Sequence, residues 1–76
     1  MNEAEALKWY YKAAEQGVAE AQFILGLDYK RGEGGVKKDF AKGAEWYRKA
    51  AEQGHMYALY NLAVCYEYGE GVPKDK

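Results

Sequence analysis

The 76-residue sequence contains no serine, no threonine and a single cysteine, Cys65. Without these two residue types, the serine and threonine nucleophiles of covalent catalysis are excluded. One cysteine cannot form an intramolecular disulfide, so nothing indicates an oxidising compartment. The single histidine, His55, and Cys65 together also fall short of the three or four ligands of a zinc site. We therefore expect a chain without catalytic residues, bound metal or cofactor.

Long apolar runs and blocks of like charge are absent as well. No apolar segment approaches the roughly 20 residues that span a bilayer. Glu3 and Glu5 give the N-terminus the opposite charge to that of a signal peptide. Glu and Lys are interleaved and the net charge is −1, which favours neither nucleic acid nor an anionic membrane as a partner. We expect a soluble chain, with the cytoplasm as the favoured compartment.

What the sequence does contain is an internal repeat. Trp9–Gly17 reads WYYKAAEQG and Trp46–Gly54 reads WYRKAAEQG, a shift of 46 − 9 = 37 positions. A second motif recurs at the same shift, with Ala21, Leu25 and Tyr29 returning as Ala58, Leu62 and Tyr66. A repeat of this length is typical of a stacked helical array. Such arrays act by offering surface, so we expect a binding or scaffolding module.

Capping residues and glycines divide the repeat into four predicted helices. Their expected positions are from a cap at Asn2 to Gly17, from Val18–Ala19 to about Arg31, Phe40–Gln53 after a cap at Asp39, and Met56–Tyr68. Pro73 and Asp75 predict a stop and the cap of a further helix. Gly26 interrupts the second helix and is matched by Ala63, so this position predicts a close helix–helix contact.

The helices follow the order B, A, B, A, where B carries WYxKAAEQG and A carries AxxxLxxxY. This order predicts the B helix of a preceding unit in 1–17, a full repeat in 18–54, and the A helix and loop of a truncated repeat in 55–76. Stacked repeats bury their faces on their neighbours. Trp9 and Tyr10 at one end and the outer side of the fourth helix at the other are therefore expected to be uncovered.

The motifs A-x-x-x-L-G-x-x-Y, G-x-G, V-x-x-D and W-Y-x-K-A-A-E-Q-G resemble the Sel-one-like repeat (SLR) family. The resemblance covers essentially the whole chain. It implies an all-α fold related to the tetratricopeptide repeat, a right-handed superhelix of antiparallel helix pairs. It also implies an adaptor or scaffold in protein complexes, often bacterial. Cys65 alone cannot supply the disulfide that some cysteine-rich relatives carry in each repeat, and Ala63 departs from the family glycine that Gly26 keeps.

The resemblance further implies that the A helices line a concave groove for a protein or peptide partner. The positions it marks are Phe23, Leu27, Arg31, Tyr57, Tyr60, Asn61, Val64 and Tyr68. Exposed aromatic side chains supply contact area and a hydroxyl, which suits binding hot spots. Packing inside the array is the alternative. It is the preferred interpretation for Phe23, Leu27 and Val64, and it stays open for the three tyrosines.

Trp9 and Tyr10 mark a second candidate surface. The matched spacing of Trp9 and Trp46 predicts packing between repeats, but Trp9 has no predicted neighbour, and an exposed aromatic patch favours self-association. The alternative function is therefore that of a self-assembling repeat fragment or consensus-like design, which stacks end to end into a homo-oligomer, head-to-tail or twofold. We expect His55 to be exposed and Cys65, which stands at the position of Asp28, to tolerate exchange. A hydrolase using Cys65 is the least favoured hypothesis.

Overall fold

The structure is a computed structural model that describes residues 2–70. In this part of the chain there are four helices and no strand: α1 (Glu3–Glu15), α2 (Ala19–Arg31), α3 (Phe40–Glu52) and α4 (Met56–Tyr68). The predicted helices are thus confirmed to within one or two residues at their ends. The predicted stop at Pro73 and cap at Asp75 lie outside the described residues.

Local sequence explains where the helices begin and end. Asn2 Oδ1 accepts a hydrogen bond from the Glu5 backbone N–H at 2.8 Å, and Asp39 Oδ1 accepts one from the Lys42 N–H at 3.1 Å. Each side chain satisfies a donor that has no partner within its own helix. Gly32 and Gly69 end α2 and α4 with φ values of 70° and 68°. This left-handed conformation costs glycine least.

Each helix packs on its neighbour in sequence, and α2 also meets α4. The core consists of two clusters. The first is buried between α3 and α4 and comprises Ala44, Tyr47, Ala50, Ala58 and Cys65. The second joins α1 and α2 and comprises Ala14, Ala21 and Leu25. Because most of these residues are small, the helices approach closely. The described part of the chain is a flat array of 41 × 25 × 15 Å.

The closest approach is the crossing of α2 and α3 at two glycines. A Cβ atom on Gly26 would lie 2.5 Å from ring carbons of Tyr47, and one on Gly43 would lie 3.0 Å from the Gly26 carbonyl oxygen. A side chain at Gly26 would therefore force the Tyr47 ring to shift, and one at Gly43 would press on the backbone of Gly26. The close contact predicted at Gly26 is confirmed. At Ala63 the same prediction is wrong, because Ala63 is exposed in this structure.

A buried glutamine also connects the first three helices. Gln22 Nε2 donates to the carbonyl oxygen of Ala14 at 3.0 Å, and Gln53 Nε2 donates to Gln22 Oε1 at 3.0 Å. Gln22 thereby links the last turns of α1 and α3, and its buried amide is satisfied. The sequence analysis missed Gln22. Its position four residues before Gly26, on the helix face that meets α3, is the signal that could have revealed it.

Candidate functional site

Helix α4 presents three faces, each made of residues three or four positions apart. The face toward α3 contains Ala58, Leu62 and Cys65, which are buried or half-buried. The groove face contains Tyr57, Asn61, Val64 and Tyr68. The outer face contains Met56, Leu59, Tyr60, Ala63 and Glu67, all exposed. Tyr60 stands at the edge between the groove face and the outer face.

The groove face continues onto α2 through Phe23, Leu27 and Arg31. Phe23 and Leu27 are half-buried and pack against the core, and the Phe23 ring lies 6.3 Å from the ring of Tyr57. The predicted groove residues therefore divide into two groups. Phe23, Leu27 and Val64 are apolar and half-buried, and we call them the apolar floor, whereas Tyr57 and Tyr68 have exposed fractions of 73% and 68%.

Polar groups border this floor. Asn61 Nδ2 donates to the Tyr57 carbonyl oxygen at 2.8 Å, one helical turn back, which holds the amide against the helix surface. The Arg31 guanidinium lies 3.9 Å from the Glu33 carboxylate, and both side chains are largely exposed. An ion pair so exposed contributes little stability. Glu33 therefore holds the Arg31 side chain only weakly.

His55 is not exposed as expected. Its side chain is only 13% exposed. Its Nδ1 accepts a hydrogen bond from the Ala58 N–H at 3.1 Å and so caps α4, while its Nε2 lies 2.8 Å from Glu20 Oε1. The ring stacks on Phe23 at 4.7 Å. The prediction failed because His55 occupies the cap position of α4, where its ring reaches across to α2.

Cys65 is not at a tolerant position either. Its side chain is fully buried beside Tyr47 in the core cluster, so a larger or charged residue has no room there. Burial raises the pKa of the Cys65 thiol, which disfavours the thiolate that nucleophilic catalysis requires. No group of three or more His, Cys, Asp or Glu side chains suited to a metal ion occurs among the described residues.

The two copies of WYxKAAEQG have different surroundings. In α3, Tyr47 is fully buried and Trp46 packs edge-on against Tyr11 of α1, with ring centroids 6.0 Å apart. The predicted role of Trp46 in packing between repeats is confirmed by this contact. In α1, Trp9 is 59% exposed and Tyr10 36% exposed.

Next to Trp9, the surface of α1 forms an open groove of about 350 Å³ lined by Glu5, Lys8, Trp9 and Lys12. The Lys12 ammonium lies 5.5 Å from the Trp9 ring centre. Lys49 takes the same position 5.1 Å from the ring of Trp46. The two tryptophans therefore share one local arrangement. They differ because Trp46 packs against Tyr11, whereas Trp9 is largely exposed.

Comparison with known proteins agrees with the repeat geometry. The family model of the Sel1 repeat matches residues 2–18, 19–55 and 57–76. The chain belongs to the Sel1 repeat family. No significant match was found among curated protein sequences. Within residues 2–70, no helix has the length and apolar character needed to cross a membrane.

Two solved structures are similar to this chain. A protective antigen present in uropathogenic Escherichia coli strains, which displays an SLR fold, is 45% identical with a TM-score of 0.94 over 99% of this chain. A Sel1 repeat protein from Oxalobacter formigenes is 46% identical with a TM-score of 0.92 over 97% of this chain. The chain spans 16% and 30% of the lengths of these two relatives. The expected all-α solenoid fold is confirmed.

Sel1 repeats are a non-catalytic scaffold fold and generally mediate protein–protein interactions. Such repeats work through surfaces that extend across neighbouring units. In this chain, exposed aromatic side chains lie on the groove face of α4, on its outer face and, at Trp9 and Tyr10, on the outer face of α1.

Proposed function

We propose that this Sel1 repeat chain is a protein-interaction module that binds a segment of a partner protein on its groove face. The observation that carries the proposal is the exposure of Tyr57 and Tyr68 above an apolar floor. In this arrangement 18–54 acts as one full repeat, with 1–17 and 55–76 contributing the flanking B and A helices. No catalytic role is part of the proposal.

The chemistry of the groove face suits a peptide segment with apolar side chains. Tyrosine rings are rigid, so covering them costs little side-chain entropy, and their hydroxyls can bond to a peptide backbone. Phe23, Leu27 and Val64 offer an apolar floor beneath such a segment. Arg31 adds a positive charge, which favours an acidic residue near that end.

Peptides selected from a random phage-displayed library on the immobilised chain provide the probe. We expect selected peptides to lose about 30-fold or more in affinity for the Tyr57→Ala, Tyr68→Ala double variant, because a single central aromatic anchor contributes about 2 kcal/mol or more. Circular dichroism should show unchanged helicity, since both side chains are exposed. Tyr60→Ala, tested alone, shows whether the groove extends to the edge of the outer face.

Tyr10→Ala is the matched control, since it removes an exposed tyrosine from a different surface. Selected peptides should bind this variant and the unchanged chain equally. If the double variant keeps full affinity, or if the control loses as much as the double variant, the groove face is not the binding surface.

A further inference from the structure

We propose that the outer face of α1 in one molecule docks on the outer face of α4 in a second copy of the chain. The geometry for this contact already exists inside each molecule, where α3 covers the corresponding face of α2. There Tyr47 lies over Gly26, and Gln53 bonds to Gln22. The positions 37 residues later, Ala63 and Leu59, are exposed.

Helix α1 carries the side chains that this face of α4 accepts. Trp9 and Tyr10 stand in the same motif as Trp46 and Tyr47, and both are exposed. If α1 of one copy packs on α4 of the next as α3 packs on α2, Tyr10 of the first copy lies over Ala63 of the second. Leu59, at 48% exposure, would then lose contact with water along with Trp9 and Tyr10, which favours association.

Charged residues at this junction indicate that the covering helix is α1 of another copy. Inside the molecule, Tyr11 lies between Tyr29 and Trp46, at 6.4 and 6.0 Å between ring centroids. The residue 37 positions after Tyr11 is Arg48, and its guanidinium donates to the Tyr66 hydroxyl at 3.5 Å. An incoming Trp9 would therefore stack on Arg48, a favourable cation–π pair.

The residue that approaches Arg48 from the second copy is acidic. Inside the molecule, the Lys42 ammonium lies 5.4 Å from the Tyr29 ring centre. The counterpart of Lys42 in α1 is Glu5, and the counterpart of Tyr29 is Tyr66. Docking of α1 therefore brings the Glu5 carboxylate next to Arg48. Where the internal contact has Lys42 and Tyr11, the contact between copies has Glu5 and Arg48. These two side chains carry opposite charges and therefore attract each other.

The contact between α1 and α4 of two copies should be weaker than the contact between α3 and α2 within one molecule. Ala63 replaces Gly26 and Ala6 replaces Gly43, and a Cβ at Gly26 would stand 2.5 Å from the tyrosine ring. The two helices must therefore sit farther apart between copies than within a molecule, which reduces packing contacts. Association should depend on concentration and proceed head-to-tail, because the two docking faces differ.

Light scattering behind a sizing column measures this association. The unchanged chain should show masses that rise with concentration through multiples of 8.6 kDa. Trp9→Glu blocks the α1 face and Ala63→Glu blocks the α4 face, so each variant alone should be a monomer. An equimolar mixture should form a dimer and nothing larger, because one free face of each kind remains. Ala41→Glu, on an exposed helix position outside both faces, should associate like the unchanged chain.

Several outcomes overturn the proposal. One is a monomer at every concentration up to the solubility limit. Another is a mixture of the two blocked variants that stays monomeric. If either blocked variant still dimerises alone, the contact is a twofold one between like faces or lies on another surface of the chain. Circular dichroism on each variant shows whether it remains folded.

Ala63→Gly tests the register of the contact. Restoring the glycine should relieve the overpacking against Tyr10, so half-association should occur at about a tenfold lower concentration. A general loss of helix stability, which glycine also causes, acts in the opposite direction. Unchanged or weaker association of a folded Ala63→Gly variant contradicts the docking of Tyr10 on this residue. The Tyr57→Ala, Tyr68→Ala variant should associate normally, which separates this contact from the groove face.

Discussion

Helices α2 and α4 carry the same motif and have different surroundings. Both contain 13 residues and end at a left-handed glycine. In α2, the face toward α3 buries Gln22 to 5% exposure and places Gly26 against Tyr47. In α4, the same face leaves Leu59 and Ala63 exposed. The motif therefore determines the helix, and the neighbouring helix determines whether its face is core or surface.

Helices α1 and α3 repeat the comparison from the other side. Tyr10 and Tyr47 are the same residue in the same motif, yet only Tyr47 is fully buried. In a repeat array, stability comes from intrinsic helix terms and from interfaces between neighbours. Matched substitutions at positions 37 residues apart should therefore separate the interface contribution from the intrinsic one.

The largest difference is expected between Tyr47→Ala and Tyr10→Ala. Removing the fully buried Tyr47 ring should lower the free energy of unfolding by about 3–5 kcal/mol. That is a large share of the total for a small domain, so the variant should be largely unfolded. Tyr10→Ala should cost less than about 1 kcal/mol. Thermal unfolding followed by circular dichroism measures both, and losses of similar size would contradict the comparison.

Gly26→Ala and Ala63→Gly should both destabilise the fold, although they are opposite exchanges. The new Cβ at Gly26 meets the Tyr47 ring, so overpacking should cost about 1–3 kcal/mol despite the better helix propensity of alanine. Ala63→Gly lies in an exposed helix position and should cost about 1 kcal/mol from propensity alone. Urea unfolding at low protein concentration gives both values. A more stable Gly26→Ala variant would mean that Tyr47 can move aside.

The buried polar link at Gln22 should have a smaller effect. Gln22→Leu removes the hydrogen bonds to the Ala14 carbonyl and to Gln53, and we expect a loss of about 1 kcal/mol. The reciprocal exchange Leu59→Gln falls on the uncovered face and should change stability by about 0.5 kcal/mol or less. If Gln22→Leu is neutral, added apolar burial offsets the lost hydrogen bonds.

Tyr47→Phe should change the free energy of unfolding little at neutral pH. At high pH it should remove the contribution that ionisation of Tyr47 makes to the loss of stability. Among the described residues the buried Tyr47 hydroxyl has no hydrogen-bond partner, so its removal should be neutral or slightly stabilising. Burial raises the pKa of Tyr47 from 10.0 to about 12. The unfolded chain therefore ionises first, and Tyr47 lowers the stability of the fold as pH rises from about 10 to 12.

Urea unfolding of the unchanged chain and of Tyr47→Phe, at intervals from pH 8 to 11, measures this effect. The unchanged chain should lose more stability than the variant above pH 10. The matched exchange Tyr10→Phe is the control and should leave the pH dependence as it is. Parallel curves for the chain and for Tyr47→Phe would mean that the Tyr47 hydroxyl ionises as easily in the fold as in water.

Where local rules apply, the sequence was sufficient to predict the structure. The caps at Asn2 and Asp39 and the glycine ends of α2 and α4 were predicted because capping depends on residues within one turn. Ala21, Leu25 and Tyr29 of the recurring motif lie four residues apart, and all three are buried, as helical periodicity leads one to expect. These features need no knowledge of the neighbouring helix.

The errors occurred where a contact crosses between helices. His55 was expected to be exposed, but its ring reaches Phe23 and Glu20 of α2. The link between Gln22 and Gln53 joins residues 31 positions apart. Cys65 was expected to tolerate exchange, but it is buried beside Tyr47. In each case the partner comes from another helix, and one repeat unit does not specify it.

The sequence by itself therefore determined the family, the number and limits of the helices and the repeat of 37 positions. Only the tertiary structure decided the contacts between helices that bury His55 against Phe23, link Gln22 to Gln53 and enclose Cys65. The physical reason is that helix formation depends on hydrogen bonds and caps within a few residues, whereas burial depends on which helix lies over a face. Trp9 and Tyr10 are the same residues at the same motif positions as Trp46 and Tyr47, and their exposure differs because different helices lie next to them.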